Sequence, residues 1–265
     1  MTEPIPHWPG RLVSVEDHEV FVRSAPVPET DAEPALFVHG LEGSSRNWTD
    51  LIDLLRNRLA CEAMDLPGFG DSPPRPDGRY SIAALAQTVI ALIQRQSKPV
   101  HLIGNSLGGA VCVKVAATRP DLIKTLTLIS PALPDLRPRL DLVRFPVVGL
   151  PRLGPRLIRQ YQSALPPERR VAAVIATCYS NPGLYPQARF AAEVAELGRR
   201  DSLEYAVAAL MGSARALSAE FLRKGRQADD CRPAFRQRDE TCCRGVLAVG
   251  EDRGRLVVVH RQIVP

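Results

Sequence analysis

Residues 100–109 read VHLIGNSLGG, and this stretch decides the fold. Its first four residues form an apolar run that predicts a short buried β-strand. From residue 107 to residue 118 the apolar spacing becomes helical. Ser106 stands where one pattern gives way to the other. The stretch therefore predicts a strand that turns directly into a helix, with a serine at the turn.

Small residues surround this serine for a steric reason. A strand that passes at once into a helix brings the two backbones close together, and Gly104 and Gly108 leave the room that this approach needs. The turn exposes the hydroxyl of Ser106 and places the backbone N–H of Leu107 at the start of a helix, where negative charge is stabilised. The pattern predicts a nucleophile elbow rather than a glycine-rich connector.

Short strands and helical patterns alternate on both sides of this turn. Further strands are predicted over residues 11–15, 20–23, 35–38, 61–64 and 126–129. Helices are predicted over residues 48–59 and, after a cap at Ser81, over residues 82–93. The first two strands favour an antiparallel hairpin, whereas the later alternation is typical of parallel pairing. The predicted fold class is α/β, with a mainly parallel sheet flanked by helices.

Prolines interrupt the alternation after residue 129. Helical patterns continue over residues 169–178, 188–197 and 203–216, and strand character returns only at residues 245–249 and 256–259. We interpret the intervening part as a helical insertion within one composite domain. The predicted organisation is a core over 1–133, an insertion over 134–220 and the C-terminal remainder of the core over 221–265.

The composition is that of an ordinary folded protein. The chain has 265 residues, of which 45% are hydrophobic and 24% charged. Residues 1–10 lack the basic and apolar regions of a signal peptide, and no uncharged apolar run approaches the roughly eighteen residues of a membrane span. We therefore expect a cytoplasmic protein without stable membrane insertion.

The charged residues and the cysteines exclude further classes of partner. The net charge is +5, and residues 221–265 hold most of the excess, with ten Lys or Arg against six Asp or Glu. No nucleic-acid-binding motif accompanies this charge, so no nucleic-acid partner is expected. The six cysteines lack metal-ligand spacing, so neither a metal nor another cofactor is expected. The expected partner is a small-molecule substrate, and the oligomeric state stays open.

A second glycine-containing loop precedes the serine in the chain. Residues 37–44 read FVHGLEGS and directly follow a predicted strand. An oxyanion hole needs a second backbone donor from such a loop, beside the one at Leu107. The N–H of Leu41 is the candidate, since Gly40 lets the backbone turn inward. We interpret His39 as a residue that braces this loop rather than as a general base.

A third motif, DLPGFGDS at residues 65–72, lies between the other two. It is similar to the D-x-P-G-x-G-x-S loop of the α/β-hydrolase superfamily, and the chain resembles that superfamily from about residue 13 to residue 130. The resemblance implies that the helical insertion covers the active site as a cap. G-N-S-x-G-G is similar to the elbow of C–C hydrolases that act on ring-cleavage products, and esterases and lactonases share the architecture. A serine elbow speaks against the epoxide-hydrolase and dehalogenase branches, whose nucleophile is a carboxylate.

The resemblance also implies an acid and then a histidine after the serine. Asp252 is nearest to the expected acid, with Glu251 as a competitor, and His260 is the one histidine that follows Asp252. Residues 228–244 have neither helical periodicity nor an order of turn residues, and the family has a further strand and helix after the acid. We therefore expect an atypical C-terminal part that is truncated, degraded or translated from a shifted frame.

Two functional hypotheses follow from these motifs. The first is a serine hydrolase that cleaves an ester or a C–C bond of a small to medium apolar carbonyl substrate, with Ser106, Asp252 and His260 as the catalytic residues. The second is a binding or vestigial protein that keeps the pocket and lacks an effective histidine base. Six arginines between residues 135 and 160 either favour an anionic group on the substrate or only solvate a helical surface.

Overall fold

A twisted sheet forms the centre of the computed structural model, which describes residues 5–26, 31–133, 153–179, 181–201, 204–222 and 257–260. Within these ranges the sheet has seven strands. They are β1 (Gly10–Val15), β2 (His18–Ser24), β3 (Glu33–Val38), β4 (Leu59–Met64), β5 (Val100–Asn105), β6 (Ile123–Ile129) and β7 (Val257–His260).

Seven α-helices accompany the sheet in the described part of the chain. They are α1 (Thr49–Leu55), α2 (Ile82–Ile93), α3 (Leu107–Thr118), α4 (Gly154–Ala164), α5 (Pro167–Cys178), α6 (Gln187–Asp201) and α7 (Glu204–Leu222). Short 3-10 turns occur at Ser45–Trp48, Pro120–Leu122 and Pro182–Leu184. None of the described helices is both long and apolar enough to cross a bilayer.

The strand order confirms the predicted fold class. The order across the sheet is β1-β2-β4-β3-β5-β6-β7. β1 and β2 form an antiparallel hairpin, β2 pairs antiparallel with β4, and the remaining pairs are parallel. Parallel strands need crossover connections, and α1, α2 and α3 supply them between β3 and β6.

Apolar side chains cover both faces of the sheet. On one face, α2 and α3 pack onto the strands through buried residues such as Leu85, Val89 and Val111. On the other face, Phe37 and Trp48 belong to a second apolar cluster that includes α1. A parallel sheet is stable only when helices shield both faces, which is why the central strand β3 is buried and apolar over residues 35–38.

Some predicted element boundaries differ from the structure. The helix predicted over residues 48–59 ends at Leu55, because Leu59 already belongs to β4, where it pairs with Glu33. Conversely, β6 begins at Ile123 rather than at residue 126, since pairing with β5 extends it. The strand predicted over residues 245–249 lies outside the described residues.

The helical insertion joins the core through its last helix. Ala209 and Leu217 of α7 lie in the same apolar cluster as the sheet and α2. A Cβ atom on Gly212 would lie 2.7 Å from the ring of Tyr80, so α7 approaches the core closely at this point. We refer to α4–α7 as the helical insert, which is described within residues 153–222.

Candidate functional site

Ser106 occupies the turn between β5 and α3 in a backbone conformation that non-glycine residues rarely adopt. Its φ is 48° and its ψ is −114°, and it is the N-cap of α3. A residue in such a region stores roughly 1–3 kcal/mol of strain, which the surrounding structure must hold. The Ser106 N–H donates to Ile129 O at 3.1 Å, and Ser106 O accepts from Ala132 N–H at 2.9 Å. These two bonds fix the turn against the end of β6.

The two glycines that flank the turn lie where a side chain would not fit. A Cβ on Gly104 would lie 2.6 Å from the sulfur of Cys112. On Gly108 it would lie 2.3 Å from the carbonyl oxygen of Val38 and 2.4 Å from that of His39. Both distances are well below van der Waals contact, so α3 can approach β3 and β5 this closely only with glycine at these positions.

The loop over residues 39–44 lies directly against the serine. A Cβ on Gly40 would lie 3.1 Å from Cβ of Ser106. Within the described part of the chain, the N–H groups of Leu41 and Leu107 have no hydrogen-bond partner. An N–H at the first position of a helix is left free by the helix itself. Both predicted oxyanion donors are therefore N–H groups without a partner among the described residues. The Leu107 N–H follows Ser106 in the chain, and the Leu41 N–H belongs to the loop that lies against Ser106.

His39 is enclosed by its own loop and by the loop that follows β4. Its Nδ1 lies 2.7 Å from Gly40 O, and its Nε2 lies 2.9 Å from the N–H of Leu66. A backbone N–H can only donate, so Nε2 accepts and Nδ1 carries the proton that it donates to Gly40 O. Burial lowers the pKa of His39 to about 3. Both nitrogens are engaged, so His39 holds the loop and has no nitrogen free for the serine.

The loop over residues 65–72 supports the site through the buried side chain of Asp65. The buried carboxylate of Asp65 accepts the N–H groups of Ser45 and Asp71. Burial raises the pKa of this carboxyl group, while these hydrogen bonds act in the opposite direction. Gly70 has a φ of +55°, and a Cβ there would lie 2.3 Å from the Asp65 carboxylate. The acid of this motif thus ties two loops together and does not face the serine as a catalytic group.

The chain has five histidines, and the structure gives four of them other partners. His39 is engaged as described above. His7 contacts Thr49 Oγ1 at 2.7 Å, His18 contacts Thr88 Oγ1 at 3.1 Å, and His101 lies between Thr125 Oγ1 at 2.7 Å and Glu33 Oε2 at 2.9 Å. The fifth is His260.

The register of the sheet places His260 on the same edge as the serine. Ile129 pairs with Asn105 on one side and with His260 on the other, so the three residues form one row across β5, β6 and β7. Adjacent strands lie about 4.8 Å apart, which puts the backbones of Asn105 and His260 roughly 10 Å from one another. The predicted acid Asp252 and its competitor Glu251 lie outside the described residues.

Buried charges near the site had no recognisable signal in the sequence. Glu196 of α6 is only 6% exposed and pairs with Arg46 and Arg199, and Arg199 also reaches Asp71 at 2.9 Å. Charged residues at helical spacing normally indicate a solvated face. Here they form the contact between α6 and two core loops, which the sequence alone does not reveal. Within the described residues, no three His, Cys, Asp or Glu side chains form a group suited to a metal ion.

Fold and site together define a class of protein. The sheet order, the crossover helices and a strained serine between β5 and α3 are those of the α/β-hydrolase fold. Residues 34–159 match the family model described as alpha/beta hydrolase fold. The chain therefore has the α/β-hydrolase fold, and over residues 34–159 it is similar to the family of that name.

Individual relatives share only part of their length with this chain. A dihydrolipoyllysine-residue acetyltransferase component of the acetoin cleaving system from Cupriavidus necator is 35% identical over 101 residues, which is 38% of this chain and 27% of that protein. A pimeloyl-[acyl-carrier protein] methyl ester esterase from Aeromonas hydrophila is 33% identical over 95 residues, which is 36% of each chain. The chain thus spans about a quarter to a third of these relatives.

A solved structure agrees with the fold over a longer part of the chain. The crystal structure of Cfl2 from Burkholderia cenocepacia superposes with a TM-score of 0.70. It covers 85% of this chain and 76% of its own, at 21% sequence identity. At this identity the likeness concerns the fold alone.

Proposed function

We propose that the protein is a serine hydrolase that cleaves an ester bond, or a C–C bond beside a carbonyl, in a small to medium apolar substrate. The observation that carries this proposal is the backbone of Ser106, which is strained, lies at a helix N-terminus and touches the 39–44 loop. Structures retain such strain mainly where function depends on it. A serine needed only for folding would gain nothing from this conformation.

The proposed reaction begins with attack of Ser106 Oγ on the substrate carbonyl carbon. His260 accepts the hydroxyl proton, and Asp252 orients the imidazole and stabilises its charged form. The carbonyl oxygen becomes negative in the tetrahedral intermediate, and the N–H groups of Leu41 and Leu107 stabilise it. When this intermediate collapses, the leaving group departs with the proton from His260. The acyl group stays on Ser106 as an acyl-enzyme.

Water then completes the cycle. His260 removes a proton from a water molecule as it attacks the acyl carbon, and the second tetrahedral intermediate releases a carboxylic acid and restores Ser106. The leaving group is an alcohol for an ester and a protonated carbon for a C–C bond. An ester is the first choice for testing, because the relative from Aeromonas hydrophila is a methyl ester esterase.

His260 is our proposed base for two reasons. The four other histidines have their own partners, and the row of residues across β5, β6 and β7 supports a position for its backbone at the edge where Ser106 lies. The proposed roles of Asp252 and His260 rest on the resemblance to the α/β-hydrolase superfamily, and that of His260 also rests on this strand register. Glu251 is the alternative acid.

A binding protein without turnover is the second candidate. It is favoured by one observation: among the described side chains, none of the histidines is free to serve Ser106. In this reading the elbow and the 39–44 loop form a pocket for a carbonyl compound, and no acyl-enzyme forms. The two candidates differ in whether Ser106 reacts covalently.

Hydrolysis of a short p-nitrophenyl ester tests the first candidate. Ser106→Ala should lower kcat/KM on the order of 10³-fold or more, since the nucleophile is removed. Ser163→Ala is the matched control, because Ser163 is an exposed serine of α4 whose hydroxyl donates to Gln160 O within its own helix. Equal rates for the native chain and Ser106→Ala would contradict the proposed enzyme.

A further inference from the structure

Arg200 is a buried arginine of α6 that reaches the 39–44 loop from the helical insert. The residue is 7% exposed, and its guanidinium donates to the carbonyl oxygen of Glu42. The same guanidinium lies over the ring of Phe69, with 5.5 Å between Cζ and the ring centroid. Planar guanidinium groups both stack and donate in fixed directions, which makes Arg well suited to orient a backbone carbonyl.

The loop needs such a contact because its backbone is strained beside the site. Glu42 has a φ of 59°, in the left-handed region that favours glycine. For a residue other than glycine, Asn or Asp, this conformation costs on the order of 1 kcal/mol. A hydrogen bond from Arg200 to Glu42 O helps to hold the loop in this form.

The other end of the loop is held from the core. Gly40 O accepts from His39 Nδ1 at 2.7 Å and from Gly43 N–H at 3.0 Å. In a trans peptide the C=O and the N–H point in opposite directions, so fixing Gly40 O also fixes the direction of the Leu41 N–H. The candidate oxyanion donor is therefore set by the carbonyls around it.

A series of side-chain contacts, from His39 through Phe69 to Arg200, joins the two ends at which the loop is held. The ring of His39 lies edge-on to Phe69, with 5.7 Å between ring centroids, and Arg200 covers Phe69 as described. His39 belongs to the core, whereas Arg200 belongs to the insert. Movement of α6 away from the core would therefore release Glu42 O and loosen the loop that contains Leu41.

We propose that Arg200 is a positioning residue that makes the geometry of the oxyanion loop depend on docking of the helical insert. The proposal rests on the proposed function of Leu41 N–H as an oxyanion donor. It assigns to α6 a part in the reaction although α6 supplies no reacting group. It also predicts that the insert acts on kcat and not only on substrate binding.

Two substitutions of Arg200, with a control elsewhere in the helical insert, test this role. Arg200→Ala should lower kcat for ester hydrolysis by roughly tenfold to a hundredfold with little change in KM, because a misplaced donor weakens the transition state alone. Arg200→Lys should recover part of this loss, since an ammonium group can still donate to Glu42 O. Arg159→Ala is the matched control, because Arg159 is an exposed arginine of α4 in the same helical insert.

Hydrogen–deuterium exchange gives a second readout that does not require activity. The reporter is the Gly43 N–H, which donates to Gly40 O and should exchange faster in Arg200→Ala than in Arg159→Ala. A native chain that does not hydrolyse esters would contradict the proposed function, and exchange at residues 40–43 would still test Arg200. Unchanged exchange in Arg200→Ala, or an equal loss of kcat in Arg159→Ala, would overturn the positioning role.

Discussion

At the scale of single residues, the site depends on positions where no side chain fits. Gly40, Gly104 and Gly108 bring three backbone segments together, so that Ser106 lies between a helix N-terminus and a loop. The strain at Ser106 is stable only because these neighbours are in close contact. Packing at the glycines and the strained backbone of the serine are thus two aspects of one local structure.

A methyl group at Gly108 should therefore destabilise the whole fold. Gly108→Ala would push α3 against the carbonyls of Val38 and His39, and we expect a loss of about 1–3 kcal/mol in the free energy of unfolding. Urea denaturation at neutral pH measures this loss. Gly198→Ala in α6 is the matched control, since among the described residues its Cβ would meet only Pro167, at 3.9 Å. That helical substitution should be neutral or stabilising.

At the scale of elements, β7 gives the proposed base its place. The four residues of this strand continue the parallel sheet beyond β6, and their last member, His260, lies in one row with Asn105. Carboxyl ends of parallel strands are where α/β proteins place their sites. The carboxyl edge of β5, β6 and β7 is therefore where we propose that the reaction takes place.

Removal of the His260 imidazole should abolish the pH dependence of the reaction as well as most of its rate. In the native chain kcat/KM should rise with increasing pH, because only the neutral imidazole accepts the serine proton. His260→Ala should lose on the order of 10³-fold at pH 8 and show no such rise.

His101→Ala is the control for this experiment, as His101 lies in β5 and contacts Glu33 and Thr125. It should retain the native pH profile. If His260→Ala hydrolyses the ester as fast as the native chain does, His260 is not the base.

Much of this architecture could be predicted from the sequence, for reasons that differ between elements. The strand and helix around Ser106 were predictable, because steric demands fix glycine at Gly104 and Gly108. Boundaries such as Leu55 were not, since strand pairing elsewhere decides where a helix must end. The burial of Glu196 and Arg200 could not be predicted either, because their spacing on α6 is equally typical of a solvated face.

At the scale of the whole molecule, both ion pairs and apolar packing bind the helical insert to the core. Arg46, Asp71, Glu196 and Arg199 form a network between α6 and two core loops, and Arg189 of the same helix pairs with Asp50. Apolar packing by Ala209 and Leu217 of α7 completes the contact. The insert is thus joined to the very loops that shape the site.

Acid should weaken the fold through buried histidines. Burial lowers the pKa of His39 from 6.5 to about 3, and burial with the nearby Arg189 lowers that of His7 to about 4. Below pH 6.5 the unfolded chain binds these protons while the folded chain does not, so the stability that they contribute is complete above pH 6.5 and falls as pH decreases towards 3.

Through His39 alone, the free energy of unfolding should fall by up to about 1.4 kcal/mol for each pH unit. Urea midpoints between pH 7.5 and pH 4.5 should show it, and His39→Gln should reduce the slope although it lowers stability overall. A slope that His39→Gln leaves unchanged would mean that other groups cause the acid sensitivity.

The central claim is that Ser106 is a nucleophile, and covalent labelling tests it most directly. After reaction with a fluorophosphonate, intact-mass spectrometry should show one adduct per native chain, and peptide mapping should locate it on Ser106. Ser106→Ala should show none, and Ser163→Ala should label as the native chain does. A native chain that stays unlabelled, or one whose adduct persists in Ser106→Ala, would contradict the claim.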